Sequence, residues 1–214
     1  MLEIGPGPSN ETSDFLSGIG SLSGLDISPQ ASGNRALLDS HIFDGLDFPF
    51  ESGSFDGCAS NYVVEHLENP LKHFAEVERI LRPGGTYVFR CPNIFNYVPA
   101  ISRLTPYRVH LFVANRARAL PKGARDPYPT YYRCNSRSAI RRVSRETGLD
   151  VKTLNMIEAE PSYGKGSRFL FYPMLAWERL VNSTTYLEEF RSNILAVVRK
   201  PEQDPQPKQE FRDS

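Results

Sequence analysis

Tryptophan, methionine, cysteine and histidine are scarce in this 214-residue chain, at one, three, three and four copies. Cys58, Cys91 and Cys134 form no Cys-x-x-Cys pair, and an odd count argues against a disulfide framework, so a reducing, cytoplasmic setting is expected. No stretch approaches the roughly 20 apolar residues of a membrane span. The N-terminus lacks a basic segment followed by an apolar one, so no signal peptide is expected. The histidines show no ligand-like spacing, and no metal is expected. Charge of one sign is also missing: 25 Lys+Arg meet 25 Asp+Glu. That balance speaks against nucleic acid or membrane as the general partner. What is present is a 40% hydrophobic content and a length suited to one α/β domain with one insertion.

The pattern along the chain alternates. Short apolar strands are expected at residues 1–4, 22–27, 41–43, 54–61 and 86–91. Between them come helical segments: one capped by Ser9 or Asn10 and running to about residue 16, a weak one over 30–38, and a stronger one opening at Asn69-Pro70. In the last, Leu71, Phe74, Val77 and Leu81 recur at helical spacing, and Pro83-Gly84-Gly85 is expected to end it. This is the pattern of βαβ units around a parallel sheet. Residues 94–134 are rich in Arg, Tyr and Pro without one clear period and read as a cap or lid insertion. A helix follows over residues 136–147, then an aromatic helix over 169–181, with strands at 151–157 and 193–198. The domain spans residues 1–200, and the polar residues 201–214 read as a disordered tail.

Three features carry chemistry. Gly5-Pro6-Gly7 after the first strand lets backbone approach a ligand closely. Asp26 ends the second strand about 20 residues later, where a carboxylate can take both hydroxyls of a ribose. A dinucleotide fingerprint wants a third glycine where Asn10 stands, and Glu3 and Glu11 flank the turn, which suits a cationic sulfonium donor better than a pyrophosphate.

Leu2-Glu3-Ile4-Gly5-Pro6-Gly7, Gly24-Leu25-Asp26-Ile27-Ser28, Asp44-Gly45-Leu46-Asp47-Phe48-Pro49-Phe50 and Ser54-Phe55-Asp56 stand in that order. Glu65-His66-Leu67 and Arg79-Ile80-Leu81-Arg82-Pro83-Gly84-Gly85 follow, then Cys91-Pro92-Asn93. This series resembles the motifs of class I S-adenosylmethionine-dependent methyltransferases of the "type 11" kind, which mostly act on small molecules. The match is dense over residues 1–93 and weaker at 131–157 and 193–200. The resemblance implies a Rossmann-like seven-stranded sheet with the last strand antiparallel, and S-adenosyl-L-methionine as cofactor. It implies Glu3, Gly5 and Gly7 around the methionine part, Asp26 on the ribose with Ile27 beside it, and Asp44, Gly45 and Leu46 near adenine, with Asn61 beside the donor. Relatives carry helices before the first strand. Here the chain begins inside it, so residues 94–134, a partner chain such as a second copy in a homodimer, or nothing in a truncated sequence would cover the donor.

His66 follows the fourth strand and has the pKa range to accept a proton from a nucleophile, although aligned methyl transfer often needs no base. From Arg103 to Arg145 basic residues far outnumber acids. Arginine suits carboxylate or phosphate, so Arg103, Arg108, Arg116 and Arg118, with Tyr107, Tyr131 and Tyr132 as walls, are candidates to hold an anionic acceptor. A solvated basic face, RNA, and peripheral contact with anionic lipid are the other readings of that segment, and nucleic acid is the less expected because no stacking motif is present. The expected function is methyl transfer to an O, N or C nucleophile of a small, anionic metabolite. The alternative is a methyltransferase-like binding module or partner subunit without activity.

Overall fold

The computed structural model describes residues 1–97, 128–158 and 168–202. Seven strands form one sheet: β1 (Leu2–Ile4), β2 (Ser23–Asp26), β3 (Asp39–Ile42), β4 (Phe55–Asn61), β5 (Leu81–Pro92), β6 (Asp150–Ile157) and β7 (Asn193–Arg199). Their spatial order is β3-β2-β1-β4-β5-β7-β6. The pairs from β3 through β5 are parallel, and β7 runs antiparallel to both β5 and β6. This is the Rossmann-like sheet with an antiparallel last strand that the motifs implied. Chain order reverses between β1 and β4, and open α/β sheets place ligands at the carboxyl ends of strands at such a switch point.

Helix α1 (Glu11–Ser17) is capped by Asn10, and α2 (Pro70–Ile80) by Asn69 with Pro70 in its first turn. The α2 spacing buries Phe74, Val77 and Ile80 completely. Phe74 meets Tyr87 and Phe89 of β5 edge-on, with centroids 5.8 and 5.5 Å apart. Helix α3 (Arg137–Glu146), capped by Ser136, adds Ile140 and Val143 to the same core. In β7, Ile194, Ala196 and Val198 are buried and the alternate residues half-buried, as the strand's period of two requires. Helix α4 (Arg168–Asn182) covers the expected aromatic segment.

Two local expectations change. Residues 30–38 do not form an α-helix; a 3-10 turn over Pro29–Gly33 takes the place of its start. Asn34 stops it, because its side chain donates to Ser13 Oγ at 2.9 Å and accepts from the Ala36 N–H at 3.1 Å. Pro83-Gly84-Gly85 ends α2 less directly than expected. β5 already begins at Leu81, which pairs with Phe55, and the tripeptide is bulged out before Gly57 pairs with Thr86. Of the insertion read at 94–134 and the tail read at 201–214, residues 98–127 and 203–214 lie outside the described residues.

Candidate functional site

The turn after β1 is built by backbone geometry. Gly5 has φ +71°, and its N–H donates to the Leu25 carbonyl at 2.8 Å. A Cβ at Gly5 would stand 2.4 Å from Val63 Cγ2, whereas one at Gly7 would meet nothing within 4 Å. The turn is thus clamped on the protein side and open on the other. Asn10 ties it off: its Nδ2 donates to the Pro6 carbonyl at 2.7 Å and to Ser13 Oγ at 2.9 Å. Its Oδ1 accepts from the N–H groups of Thr12 and Ser13. Ser13 Oγ accepts from Asn34 as well, which leaves the hydroxyl proton for Glu3, with which Ser13 hydrogen-bonds. Glu3 is 2% exposed and its Oε2 has no partner. Burial raises its pKa, the Ser13 bond opposes that, and the nearby Asp26 charge adds to it. A buried acceptor lacking a donor, beside a turn open on one side, fits the ammonium of an amino-acid ligand.

Asp26 ends β2 with both oxygens engaged: Oδ2 accepts from the Gly7 N–H and Oδ1 from the Ser28 N–H, each at 2.8 Å. It therefore joins the first turn to the second, and each oxygen retains a further lone pair for a ribose hydroxyl. Asp44 orders its own turn, Oδ1 accepting from Leu46 N–H at 2.9 Å. Ile27 and Leu46 are about half exposed at 50% and 53%, offering apolar surface on either side of Gly45. All five line one cavity of about 1220 Å³ together with Gly5, Gly7, Tyr62 and His66. A second cavity of about 580 Å³ lies across the turn, lined by Glu3, Asn10, Thr12, Asn61 and Arg90, and shares Gly5 and Pro8 with the first.

The tips of β4 and β5 close the smaller cavity. Asn61 donates from Nδ2 to Thr12 Oγ1 at 3.1 Å and accepts from Arg90 Nε at 2.8 Å. Tyr62 then takes φ +58°, a conformation that strains a side-chain-bearing residue. Its ring lies 4.8 Å from the Arg90 guanidinium carbon, and its hydroxyl donates to Asn193 Oδ1 at 2.8 Å. Beneath them runs a buried chain: Ser60 Oγ and Tyr87 Oη share a hydrogen bond at 2.7 Å, and Tyr87 Oη and His73 Nε2 one at 3.3 Å.

His66 stands on the rim of the larger cavity. Its Nδ1 lies 2.7 Å from the Pro129 carbonyl. A carbonyl only accepts, so Nδ1 carries the proton of the neutral ring and Nε2 the lone pair. Nε2 is 4.0 Å from Glu65 Oε1. The residues after the insertion are laced to this loop: the Glu65 carbonyl accepts from the N–H groups of Tyr131 and Tyr132 at 2.8 and 3.2 Å, and Arg133 Nη1 donates to the Glu68 carbonyl. Tyr131 lines the cavity, as do Tyr128, Arg133 and Arg142; Tyr132, with φ +52°, lines neither cavity. Arg103, Tyr107, Arg108, Arg116 and Arg118 lie outside the described residues. Among the described residues no group of three metal-ligating side chains occurs, and no helix is long and apolar enough to cross a membrane.

Sequence reading assigned no chemistry to Arg90, Tyr62 or Tyr128, and counted Arg133 and Arg142 only as part of a basic run. The one signal for Arg90 was its place two residues before Pro92-Asn93, at the end of an apolar strand.

Glu65 and His73 carry opposing pH dependences. Burial pushes the Glu65 carboxyl from 4.5 up to about 7, its backbone hydrogen bond pulling the other way. Burial pushes His73 from 6.5 down to about 4. As pH rises above 4.5 the unfolded chain loses a proton that native Glu65 keeps, so that contribution to stability falls until about 7. Below pH 6.5 the unfolded chain binds a proton that native His73 refuses, so its contribution rises with pH. Glu65→Gln removes the first slope. The variant should gain on the wild type as pH climbs from about 4.5 to 7, by about 3 kcal/mol in all. Denaturant titrations across that range measure the difference, and a pH-independent offset would mean that Glu65 is ionised throughout.

Residues 2–89 match the family model described as a methyltransferase domain. The bifunctional biotin-biosynthesis protein BioHC of Teredinibacter turnerae is 47% identical over 47 residues, 22% of this chain and 8% of that protein. The chain spans 8 to 37% of the length of the first curated relatives. Among solved structures, a methyltransferase of Haloferax volcanii in complex with the Trm112 methyltransferase activator superposes with TM-score 0.58 at 18% identity, covering 96% of this chain and 83% of that one. Geranyl diphosphate C-methyltransferase of Streptomyces coelicolor, in complex with Mg2+, geranyl diphosphate and S-adenosyl-L-homocysteine, superposes with TM-score 0.57 at 16% identity, covering 93% and 71%. Residues 2–89 are thus similar to a methyltransferase domain, and the solved structures share the fold of the chain as a whole.

Proposed function

We propose that this chain, as one domain over residues 1–200, binds S-adenosylmethionine across the Gly5–Gly7 turn and methylates a small anionic metabolite. The observation that carries the reading is the meeting of two cavities at that turn, one with the unpartnered Glu3 carboxylate and the other with Asp26, Ile27, Asp44 and Leu46. Asp26 takes the ribose, Ile27, Gly45 and Leu46 flank the adenine with Asp44 near its amino group, and Glu3, Gly7 and Asn61 hold the amino-acid end. When bound, the donor supplies a methyl group activated by a positive sulfur. The protein's own work is then to orient the acceptor and take its proton. His66 Nε2 is free to accept a proton from an O–H or N–H acceptor while Pro129 fixes the ring. Arg133 and Arg142 bring positive charge to the outer part of the larger cavity, with Tyr128 and Tyr131 as walls. In a closed cavity of low polarity such charges select an anion more strongly than on an open surface.

The experiment supplies the chain with methyl-labelled donor and a panel of carboxylated, phosphorylated and neutral metabolites. Label should pass to an anionic member. An Arg133→Ala, Arg142→Ala double variant should lose at least roughly tenfold in kcat/KM toward it while keeping S-adenosylhomocysteine affinity. Turnover of a neutral acceptor alone, unaffected by the double variant, would refute the anionic assignment, and no transfer to any member would favour a binding module.

A further inference from the structure

The smaller cavity contains a charge arrangement that the family motifs leave unassigned. We infer that Arg90 is the receptor for the α-carboxylate of the donor's amino-acid end, so that the site selects a donor with that carboxylate intact; this rests on the donor reading above. Arg90 sits opposite Asn61 in the β4–β5 register, one position beyond the buried Phe89. Its Nε is spent on Asn61 Oδ1 at 2.8 Å, and its guanidinium lies over the Tyr62 ring at 4.8 Å. Two restraints from two residues fix the plane of a side chain that is otherwise long and freely rotating. Among the described residues its Nη groups make no hydrogen bond, and the side chain lines the cavity. Tyr62 reaches its platform position only through a backbone with φ +58°, and its hydroxyl is anchored to Asn193 on β7. A strained residue tied at both ends is the mark of a position held for a purpose.

The opposite wall defines the ligand's charge. Glu3 and Glu11 line the same cavity, and Glu3 Oε2 is buried without a donor. A ligand that satisfies both walls presents one carboxylate to Arg90 and one ammonium to Glu3, which is the pattern of an α-amino acid. A phosphate would set a second negative charge against the two carboxylates. The planar guanidinium also matches a carboxylate in a two-point hydrogen bond, which an ammonium does not reproduce.

Calorimetry with two probes separates this from a structural role. S-adenosylhomocysteine carries the amino-acid end; 5′-methylthioadenosine carries the same adenosine without it. Arg90→Ala should weaken S-adenosylhomocysteine by at least roughly tenfold and leave 5′-methylthioadenosine within about twofold of wild type. Arg90→Lys should recover only part of the loss, because it keeps the charge without the Asn61 bond. Equal losses for both probes would overturn the inference, since Arg90 would then hold the shape of the whole site. Unchanged S-adenosylhomocysteine affinity in Arg90→Ala would overturn it too, leaving the donor reading intact. Failure of the wild type to bind either probe would overturn the donor reading itself.

Discussion

Alanine in place of Asp26 is expected to lower the affinity for S-adenosylhomocysteine roughly ten- to hundredfold. Two losses combine. The charge-assisted bonding to the ribose hydroxyls disappears, worth about 1.5–3 kcal/mol in all. The N–H groups of Gly7 and Ser28, which Asp26 holds at 2.8 Å, also lose their acceptor, so the two turns that line the larger cavity are no longer joined. Asp26→Asn separates the two effects: one side-chain oxygen survives to bind one N–H, and the affinity should fall between wild type and alanine. Titration calorimetry reads the constants, with a melting curve to show that each variant is folded. Equal affinity in wild type and Asp26→Ala would remove Asp26 from the ligand site and leave it a loop tie.

Gly5→Ala should cost about 2–4 kcal/mol of stability and lower Tm by about 5–15 °C. About 1–2 kcal/mol comes from forcing a side-chain-bearing residue into the left-handed region, where Gly5 sits at φ +71°. The rest comes from a Cβ placed 2.4 Å from Val63 Cγ2. Val63→Ala removes that methyl, so the double variant should recover the steric part and retain the backbone part. A double variant no better than Gly5→Ala would assign the whole cost to the backbone, and a single variant that melts like wild type would show the turn to be free to relax. Gly7, open on its ligand side, should tolerate alanine with the φ cost alone while losing donor affinity.

The structure brings Glu3, Gly5, Gly7, Asp26 and Ile27 to two adjoining cavities, and that proximity was legible in the sequence because its determinants are local. Glu3, Gly5 and Gly7 belong to one strand-turn unit, and Asp26 and Ile27 follow the next strand directly, so spacing along the chain stands in for position in space. The acidic turn also disfavoured a dinucleotide, and the structure gives Asn10 the loop-closing role that a third glycine would have left vacant. The residues 30–38 misled because apolar spacing there competes with Asn34, whose side chain is drawn 21 positions back to Ser13. Arg90, Tyr62 and the Ser60–Tyr87–His73 chain were not legible for a different reason. Each depends on the register of β4 against β5, where Asn61 meets Arg90 and residues 27 to 29 positions apart become neighbours. No local motif encodes a cross-strand register, nor the positive φ of a tyrosine.

The lacing of residues 128–135 onto the loop after β4 and onto the end of β5 has a consequence for how such a chain can diversify. Where the chain leaves the sheet, Ile94 N–H donates to the Asn135 carbonyl at 2.9 Å, and Asn135 Nδ2 donates to the Pro92 carbonyl at 2.9 Å. Where it returns, Pro129, Tyr131, Tyr132 and Arg133 fasten to Glu65, His66 and Glu68. The outgoing and incoming strands of chain are thus buttoned to each other and to the cavity rim by bonds that use mostly backbone atoms. Both fastenings join residues outside 98–127, so each is complete among the described residues. The imidazole at residue 66 and the turn at Gly5–Gly7 are thus set by separate groups of bonds, one reaching back from residue 129 and the other closed within residues 5–26, so sequence change at one need not disturb the other.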